Sequence, residues 1–169
     1  QRGCDDMKNG RYTIRSGFST ASDPIAPRRY SLDNGDYKKN MRITDLRILP
    51  GVDPGQTDMG NSSILLVVAM TEAGATPLDG TTDFHQGYQF RFDDGSQIAW
   101  ASAETTVGLH VVIDPDHIIP GDIYVNAWCI STGGSPTTLV APINYLIEMQ
   151  QYDETGAEGL LSRIKETMV

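Results

Sequence analysis

The sequence predicts an all-β protein, an eight-stranded jelly-roll sandwich followed by a short C-terminal α-helix. Apolar residues recur at every second position in most stretches, clusters of Gly, Pro, Asp and Ser separate these stretches, and a helical period appears only after residue 152. Short strands joined by long, turn-rich connections are typical of sandwiches and barrels. Two facing sheets in jelly-roll order are therefore the leading prediction, and an immunoglobulin-like sandwich is the alternative.

The strand pattern recurs in eight stretches of the chain. They are residues 11–15, 41–49, 63–71, 86–92, 97–102, 107–113, 122–130 and 143–152. The first stretch alternates, so that Tyr12 and Ile14 lie on the face opposite to its two arginines. The second mixes alternating with adjacent apolar positions and ends at Pro50. The third is a continuous run rich in Ile, Leu and Val, which favours a strand buried on both faces.

The later stretches have recognisable ends. The Asp-Asp-Gly sequence at 93–95 is a turn signal, so residues 86–102 are predicted to form a hairpin. The Asp-Pro sequence at 114–115 ends the sixth stretch. Alternate residues of the last two stretches are apolar, and each set is expected to share one face. These residues are Ile123, Val125, Ala127 and Cys129, then Ile143, Tyr145, Ile147 and Met149.

The last fifteen residues change to a helical period. Thr155 and Glu158 form a capping box, and two cations lie toward the C-terminus, where they suit the helix dipole. Apolar residues recur at helical spacing through the same segment and form a stripe. It contains Leu160, Leu161, Ile164 and Met168. Because so short a helix is marginal alone in water, its stripe is expected to dock on its own domain or on a neighbouring subunit.

The chain of 169 residues suits one domain with a substantial core. Residues 1–152 are assigned to the jelly-roll domain, with residues 1–10 as a flexible N-terminal segment, and residues 153–169 to the helix. The longest apolar run is far shorter than the roughly 20 residues of a spanning helix, so no membrane partner is expected. Because the chain begins with Gln1, it is expected to be processed or part of something longer.

Charge is distributed unevenly along the chain. Ten of the thirteen basic residues lie in residues 1–50, which also hold six acidic residues and carry a net charge of +4. Residues 51–169 carry −13, which predicts a different neighbour for each part. Clustered cations contact phosphates and nearby aromatic rings stack on bases, whereas ordinary strand-surface charge is the alternative. The candidate nucleic-acid-facing residues are Arg2, Lys8, Arg11, Arg15, Arg28 and Arg29.

No catalytic pattern is visible, and no enzymatic activity is predicted. The sequence has no GxSxG nucleophile elbow, no HExxH pair and no glycine-rich phosphate loop. His110 is expected to be an ordinary strand residue. Cys129 is expected to be buried in its strand, and a disulfide with Cys4 is the alternative. Aspartates in loops are candidate Ca²⁺ ligands, or else simply make turns. They are Asp93, Asp94, Asp114, Asp116 and Asp122.

The order of segments in the second half carries a family resemblance. The segments are 98–100 (Ile-Ala-Trp), 112–119 (Val-Ile-Asp-Pro-Asp-His-Ile-Ile), 122–125 (Asp-Ile-Tyr-Val) and 143–149 (Ile-Asn-Tyr-Leu-Ile-Glu-Met), followed by the terminal helix. In this order, residues 40–169 resemble the C-terminal portion of single jelly-roll capsid proteins of small icosahedral viruses, in particular those of circular single-stranded DNA viruses. The resemblance implies a virion subunit whose copies assemble into a shell around the viral genome, without catalysis or a required cofactor.

The N-terminal part departs from this family. Its members carry a strongly basic N-terminal arm that meets the packaged genome, whereas the first fifty residues here are mixed in charge. The resemblance therefore implies either an arm that precedes Gln1 or neutralisation of the genome elsewhere.

Two other functions stay open. One is a secreted or surface carbohydrate-binding sandwich in which aromatic rings stack on sugars, and the other is a fibre, pilus or phage-tail component. The candidate sugar-stacking residues are Tyr88, Trp100, Tyr124 and Trp128. Most of these lie at strand positions that are expected to be core, which weighs against sugar binding.

Overall fold

The protein is built from β-strands. The computed structural model describes residues 10–18, 27–32, 39–51, 64–72, 90–104, 108–119, 121–130, 136–137, 142–153 and 164. These residues contain nine strands, β1 Arg11–Phe18, β2 Arg28–Ser31, β3 Lys39–Pro50, β4 Ile64–Met70, β5 Gln97–Glu104, β6 Gly108–Ile113, β7 Asp122–Ile130, β8 Pro136–Thr137 and β9 Ile143–Asp153. The predicted all-β class is confirmed.

The strands form two antiparallel sheets. Sheet A has the order β1-β9-β3, and sheet B has the order β2-β7-β4-β5-β6, with β8 paired to β7. Most of the ladder partners are distant in sequence, as when Arg11 pairs with Gln150 and Arg28 with Val125. The order therefore depends on non-local pairing rather than on consecutive hairpins.

Apolar side chains of both sheets meet in one core. The two alternating sets predicted to share a face, on β7 and β9, both lie in this core. Cys129 is among them and is completely buried, as predicted. Fully burying a side chain such as Ile147 or Leu65 stabilises the fold by about 1.5–3 kcal/mol relative to leaving it exposed.

A β-bulge explains the mixed apolar pattern of β3. Ile43 pairs with Met149 and Asp45 pairs with the next residue, Glu148, so Thr44 is an extra residue in the ladder. Thr44 donates a hydrogen bond of 3.2 Å from Oγ1 to the Glu148 carbonyl oxygen. Because the extra residue shifts the alternation by one position, apolar residues on both sides of it point into the same core. These are Met41 and Ile43 before the bulge, and Leu46 and Ile48 after it.

Strand β4 is buried on both faces, as its continuous apolar run predicts. Leu65, Val67 and Ala69 lie in the core between the sheets. The residues that alternate with them join Trp100 and Trp128 in a second cluster on the outer face of sheet B. The rings of Phe90 and Phe92 pack edge-on against these tryptophans at centroid distances of 5.5 and 4.7 Å. Both tryptophans are therefore buried core residues and are not available to stack on sugars.

Two strand predictions need correction. The predicted hairpin over residues 86–102 is wrong, because β4 and β6 occupy both edges of β5 and Phe90 and Arg91 are not in a strand. The turn at 92–96 is present, but the two residues before it, Phe90 and Arg91, are not in a strand. Strand β2 was not predicted, because its four residues include one apolar side chain, Tyr30, and show no period. It forms along the edge of β7 instead.

Several predictions fall on residues outside this description. They include the N-terminal segment with Arg2, Cys4 and Lys8, the strand residues 86–89, and most of the C-terminal helix. Of the helical stripe, the structure describes Ile164 alone, which has helical backbone and is 43% exposed. Among the described residues, no helix has the length and apolar character needed to cross a membrane.

Candidate nucleic-acid interface

Sheet A presents two rows of arginines on its outer face. Residues opposite one another in an antiparallel ladder share a face, so each outward residue of β9 has one neighbour from β1 and one from β3. In the first row Arg11 and Arg42 flank Gln150, and in the second row Arg15 and Arg47 flank Leu146. The rows are four positions apart on β9, which corresponds to about 13 Å along the strand. The face thus holds four guanidinium groups, two in each row.

An acidic row lies between the two basic rows. There, Thr13 and Asp45 flank Glu148. Asp45 accepts a hydrogen bond of 2.5 Å from Nε of Arg47, an exposed pair whose contribution to stability is small. With four arginines and two carboxylates, the five-residue span of β9 from 146 to 150 and its ladder partners carry a net charge of +2. The face is therefore basic, but only moderately so.

Arg42 is held more firmly than the other three arginines. Its guanidinium carbon lies 4.0 Å from the centroid of the Tyr152 ring, a cation–π contact between diagonal neighbours of β3 and β9. Its Nη1 lies 4.0 Å from the exposed carboxylate of Asp116, and its Nε is buried with no hydrogen-bond partner among the described residues. Arg11 and Arg15, in contrast, are exposed and form no ion pair within the described part of the chain.

The other two described candidates, Arg28 and Arg29, lie elsewhere and are engaged. Arg28 on β2 donates a hydrogen bond of 2.6 Å to Oγ of Ser16 and lies 4.8 Å from the centroid of the Phe18 ring. Arg29 forms a 2.6 Å ion pair with Asp122. Both are on β2 at the edge of sheet B, so the structure does not bring them onto the outer face of sheet A. Of the six predicted nucleic-acid-facing residues, the structure describes four. Two of these, Arg11 and Arg15, lie on the outer face of sheet A.

A polar cluster lies beside Arg28 at this edge of the sandwich. The hydroxyl groups of Tyr30 on β2 and Tyr145 on β9 share a hydrogen bond, which ties sheet B to sheet A beside Ser16. Burial, followed by the hydrogen bond with Tyr30, raises the pKa of Tyr145 well above its ordinary value. The phenol is thus held neutral, and Arg28 contacts Ser16 and Phe18 beside it.

The five candidate Ca²⁺ ligands do not converge. Asp93 pairs with Arg91 through two hydrogen bonds of 2.8 and 3.2 Å, and this pairing lowers the pKa of its carboxyl. Asp94 accepts hydrogen bonds from the backbone and hydroxyl of Ser96, as expected of a turn-making residue. Asp114 likewise caps the turn at Asp116, and Asp122 pairs with Arg29.

No three described His, Cys, Asp or Glu residues form a group that could hold a metal ion. The nearest charged partner of a histidine is Asp114, whose Oδ2 lies 3.8 Å from Nδ1 of His117. Burial lowers the pKa of His117, and the negative charge of Asp114 partly offsets this effect. His110 lies on β6 with an exposed side chain, as predicted for an ordinary strand residue.

An apolar depression lies at one end of the basic face. It has a volume of about 750 Å³ and includes Leu49 of β3 and Leu109 of β6, together with Arg15, Arg47 and Leu146. The side chains of Leu49 and Leu109 are 67% and 51% exposed. Exposed aliphatic side chains that line a depression mark a surface suited to protein contact.

Sequence reasoning missed three residues of this face, namely Arg42, Arg47 and Tyr152. Alternation within 41–49 gives no consistent face for the two arginines unless the bulge at Thr44 is known. Tyr152 continues the outward set of β9 after Gln150, so extending the period by one step would have found it. Its position next to Arg42 depends on strand register, for which the sequence has no signal.

Comparison of the chain with protein-family models, with curated proteins and with solved structures found no match.

Proposed function

We propose that this chain is a structural virion protein, a jelly-roll subunit that assembles with copies of itself into a shell around nucleic acid. The observation that carries the proposal is the strand order. A jelly roll is a long antiparallel hairpin of eight strands rolled into two Greek keys, and this architecture is common in viral capsid proteins. In such a roll the strands pair as nested hairpins, the first with the last and so on inward.

The strand order fits this nesting when the two-residue β8 is left out. The first and last strands, β1 and β9, are paired, as are the second and seventh, β2 and β7, and the fourth and fifth, β4 and β5. The order also supports a jelly roll over the immunoglobulin-like alternative, in which the first strand pairs with the second.

The remaining nested pair consists of β3 and β6. These two strands are in contact, although β6 is hydrogen-bonded to β5. Just beyond β6, Ile119 forms a bridge with Met41 of β3 through backbone hydrogen bonds of 2.7 and 3.0 Å. The segment that follows β6 therefore reaches β3, which supports a third nested pair of β3 with β6.

Self-assembly is supported by the exposed side chains of β6. Among the described strands it is an edge strand of sheet B, and edge strands offer unpaired backbone groups to neighbouring chains. Leu109, Val111 and Val112 are 51%, 36% and 48% exposed, and Leu49 of the adjacent depression is more exposed still. These residues form an apolar edge that a second copy of the chain would cover.

Contact with nucleic acid is supported by the outer face of sheet A. Arginines on an exposed flat sheet neutralise phosphates without reading sequence, which suits a protein that packages a whole genome. A net charge of +2 on this face makes each subunit a weak binder, so that affinity comes from many copies acting together. A basic arm before Gln1 would add to this charge and is not needed for the face to act.

Assembly is tested with the purified chain over a range of concentrations. Sedimentation velocity and negative-stain electron microscopy are expected to show closed particles of uniform diameter. Filaments would instead support the fibre, pilus or tail function, and a monomer at every concentration would refute self-assembly.

The basic face is tested by exchanging one arginine at a time. Arg15→Gln is expected to reduce the nucleic acid recovered with assembled particles, whereas Arg91→Gln, which removes the same charge from the turn before β5, is expected to leave it unchanged. Equal losses in the two variants would show that only net charge matters, and would remove the assignment of this face.

A further inference from the structure

The end of the basic face nearest Tyr152 combines three kinds of nucleotide-binding side chain. Tyr152 is 44% exposed, and the guanidinium of Arg42 lies 4.0 Å from its ring centroid. An exposed aromatic ring that is braced by a cation is a platform on which a base can stack.

A cation and an amide stand beside this platform. Gln150 lies two residues before Tyr152 on the same outward side of β9, and Arg11 is its ladder partner on β1. Ladder partners are about 5 Å apart and alternate residues of a strand about 7 Å apart, so both side chains reach groups attached to a base stacked on the ring. Arg11 and Gln150 are exposed, and among the described residues neither forms a side-chain hydrogen bond or an ion pair.

A depression next to the ring has a suitable size and lining. It has a volume of about 470 Å³, and its lining includes Arg42, Ile113 and Pro115 together with Gln150 and Tyr152. Pockets for small ligands have volumes of about 300–1,000 Å³ and combine apolar walls with a few polar groups. A nucleotide base presents this combination, with a flat apolar face and a rim of hydrogen-bonding groups.

On this evidence we propose that Arg11, Gln150 and Tyr152 form a nucleotide subsite for single-stranded nucleic acid, with the base on Tyr152 and the phosphate at Arg11. The subsite rests on the proposed function and adds to it the strandedness of the ligand. The bases of a duplex stay paired and stacked inside it, so only an unpaired strand can place a base on the ring. An acidic protein segment would engage the arginines but would leave the ring and the amide unused.

The subsite is tested by fluorescence anisotropy with a labelled oligothymidylate at fixed salt. Tyr152→Ala is expected to weaken binding about 5- to 100-fold, which is the effect of losing one base–aromatic stack, and Tyr152→Phe is expected to retain it. Inorganic polyphosphate, which has the charge without bases, is expected to bind Tyr152→Ala and the unchanged protein equally. Arg11→Gln is expected to weaken the binding of both ligands. It is also expected to reduce the slope of log Kobs against log salt concentration for the oligonucleotide by about 0.7.

Four results would overturn the subsite. They are an unchanged oligonucleotide affinity in Tyr152→Ala, an equal loss on polyphosphate, a duplex that binds as tightly as the single strand, and a polyglutamate that competes as well as the oligonucleotide. An equal loss on polyphosphate would mean that the ring only positions Arg42, and effective competition by polyglutamate would indicate an acidic protein partner. These outcomes leave assembly untouched, whereas a chain that never assembles refutes the proposed function itself.

Discussion

Deleting Thr44 is expected to be tolerated although it removes a residue from the middle of a core strand. Thr44 is the extra residue of the bulge, so without it Ile43 and Asp45 become consecutive and the ladder with β9 becomes regular. Every later residue of β3 then keeps its present partner and its present face. Elsewhere in a sheet, a one-residue deletion moves all following side chains to the opposite face.

The expected cost is small. The deletion removes one hydrogen bond of 3.2 Å from an exposed side chain, which contributes about 0.5–1.5 kcal/mol. Deletion of Leu46, two residues further on, is the matched control. It removes a side chain that is 1% exposed, at about 2–5 kcal/mol, and it forces Asp45 or Arg47 into the inward position opposite Ile147.

An unpaired charge in that position costs several kcal/mol more, so the control approaches the whole stability of about 5–15 kcal/mol of a typical domain. Urea unfolding followed by fluorescence measures both variants, because Trp100 and Trp128 are buried and report on the core. The deletion of Thr44 is expected to lower the free energy of unfolding by about 0.5–1.5 kcal/mol and the deletion of Leu46 to prevent stable folding. Equal destabilisation by the two deletions would show that the register assigned to β3 is incorrect.

Three further predictions follow from single side chains. Burial lowers the pKa of His117 below 6.5, so the unfolded chain protonates this residue more readily than the folded chain, and stability falls as the pH drops below this value. His117→Gln is expected to reduce the change of the urea midpoint with pH between neutral and mildly acidic pH. An equal change in the two proteins would contradict this. Because its pKa is raised, the phenol of Tyr145 is expected to stay neutral at about pH 10. Tyr145→Phe is therefore expected to leave the phenolate absorbance of the protein at that pH unchanged. A lower absorbance in the variant would count against this prediction. Leu109→Ser on the exposed edge is expected to shift sedimentation toward smaller species and to change the free energy of unfolding by less than about 0.5 kcal/mol. A lower melting temperature with normal assembly would exclude an interface role for Leu109.

The faces of individual strands were predictable because alternation is a local property. Arg11 and Arg15 lie outward and Ile14 inward, as the pattern of the first stretch indicates. The continuous apolar run of β4 correctly predicts burial on two sides. In each case the neighbouring residues of one segment contain the whole signal.

The features that failed depend on partners far away in the chain. Strand β2 exists because β7 offers a free edge, and its own four residues have too little apolar character to reveal it. The hairpin over 86–102 fails because β4 and β6 take both edges of β5, which a turn signal at 93–95 does not record. The Arg42–Tyr152 contact requires the register of β3 on β9.

The strand order brings basic residues from the first third of the chain onto one face of sheet A. Strands β1 and β3 come from the basic first third of the chain, and both flank β9, so their outward arginines converge around Gln150 and Leu146. The apolar middle of the chain supplies β4 and β5, whose outward residues join the aromatic cluster on sheet B. The strand order thus gathers arginines from separate segments of the chain on one face of sheet A. A basic face next to an exposed apolar edge is the arrangement that a subunit needs if it is to contact nucleic acid and its neighbours at the same time.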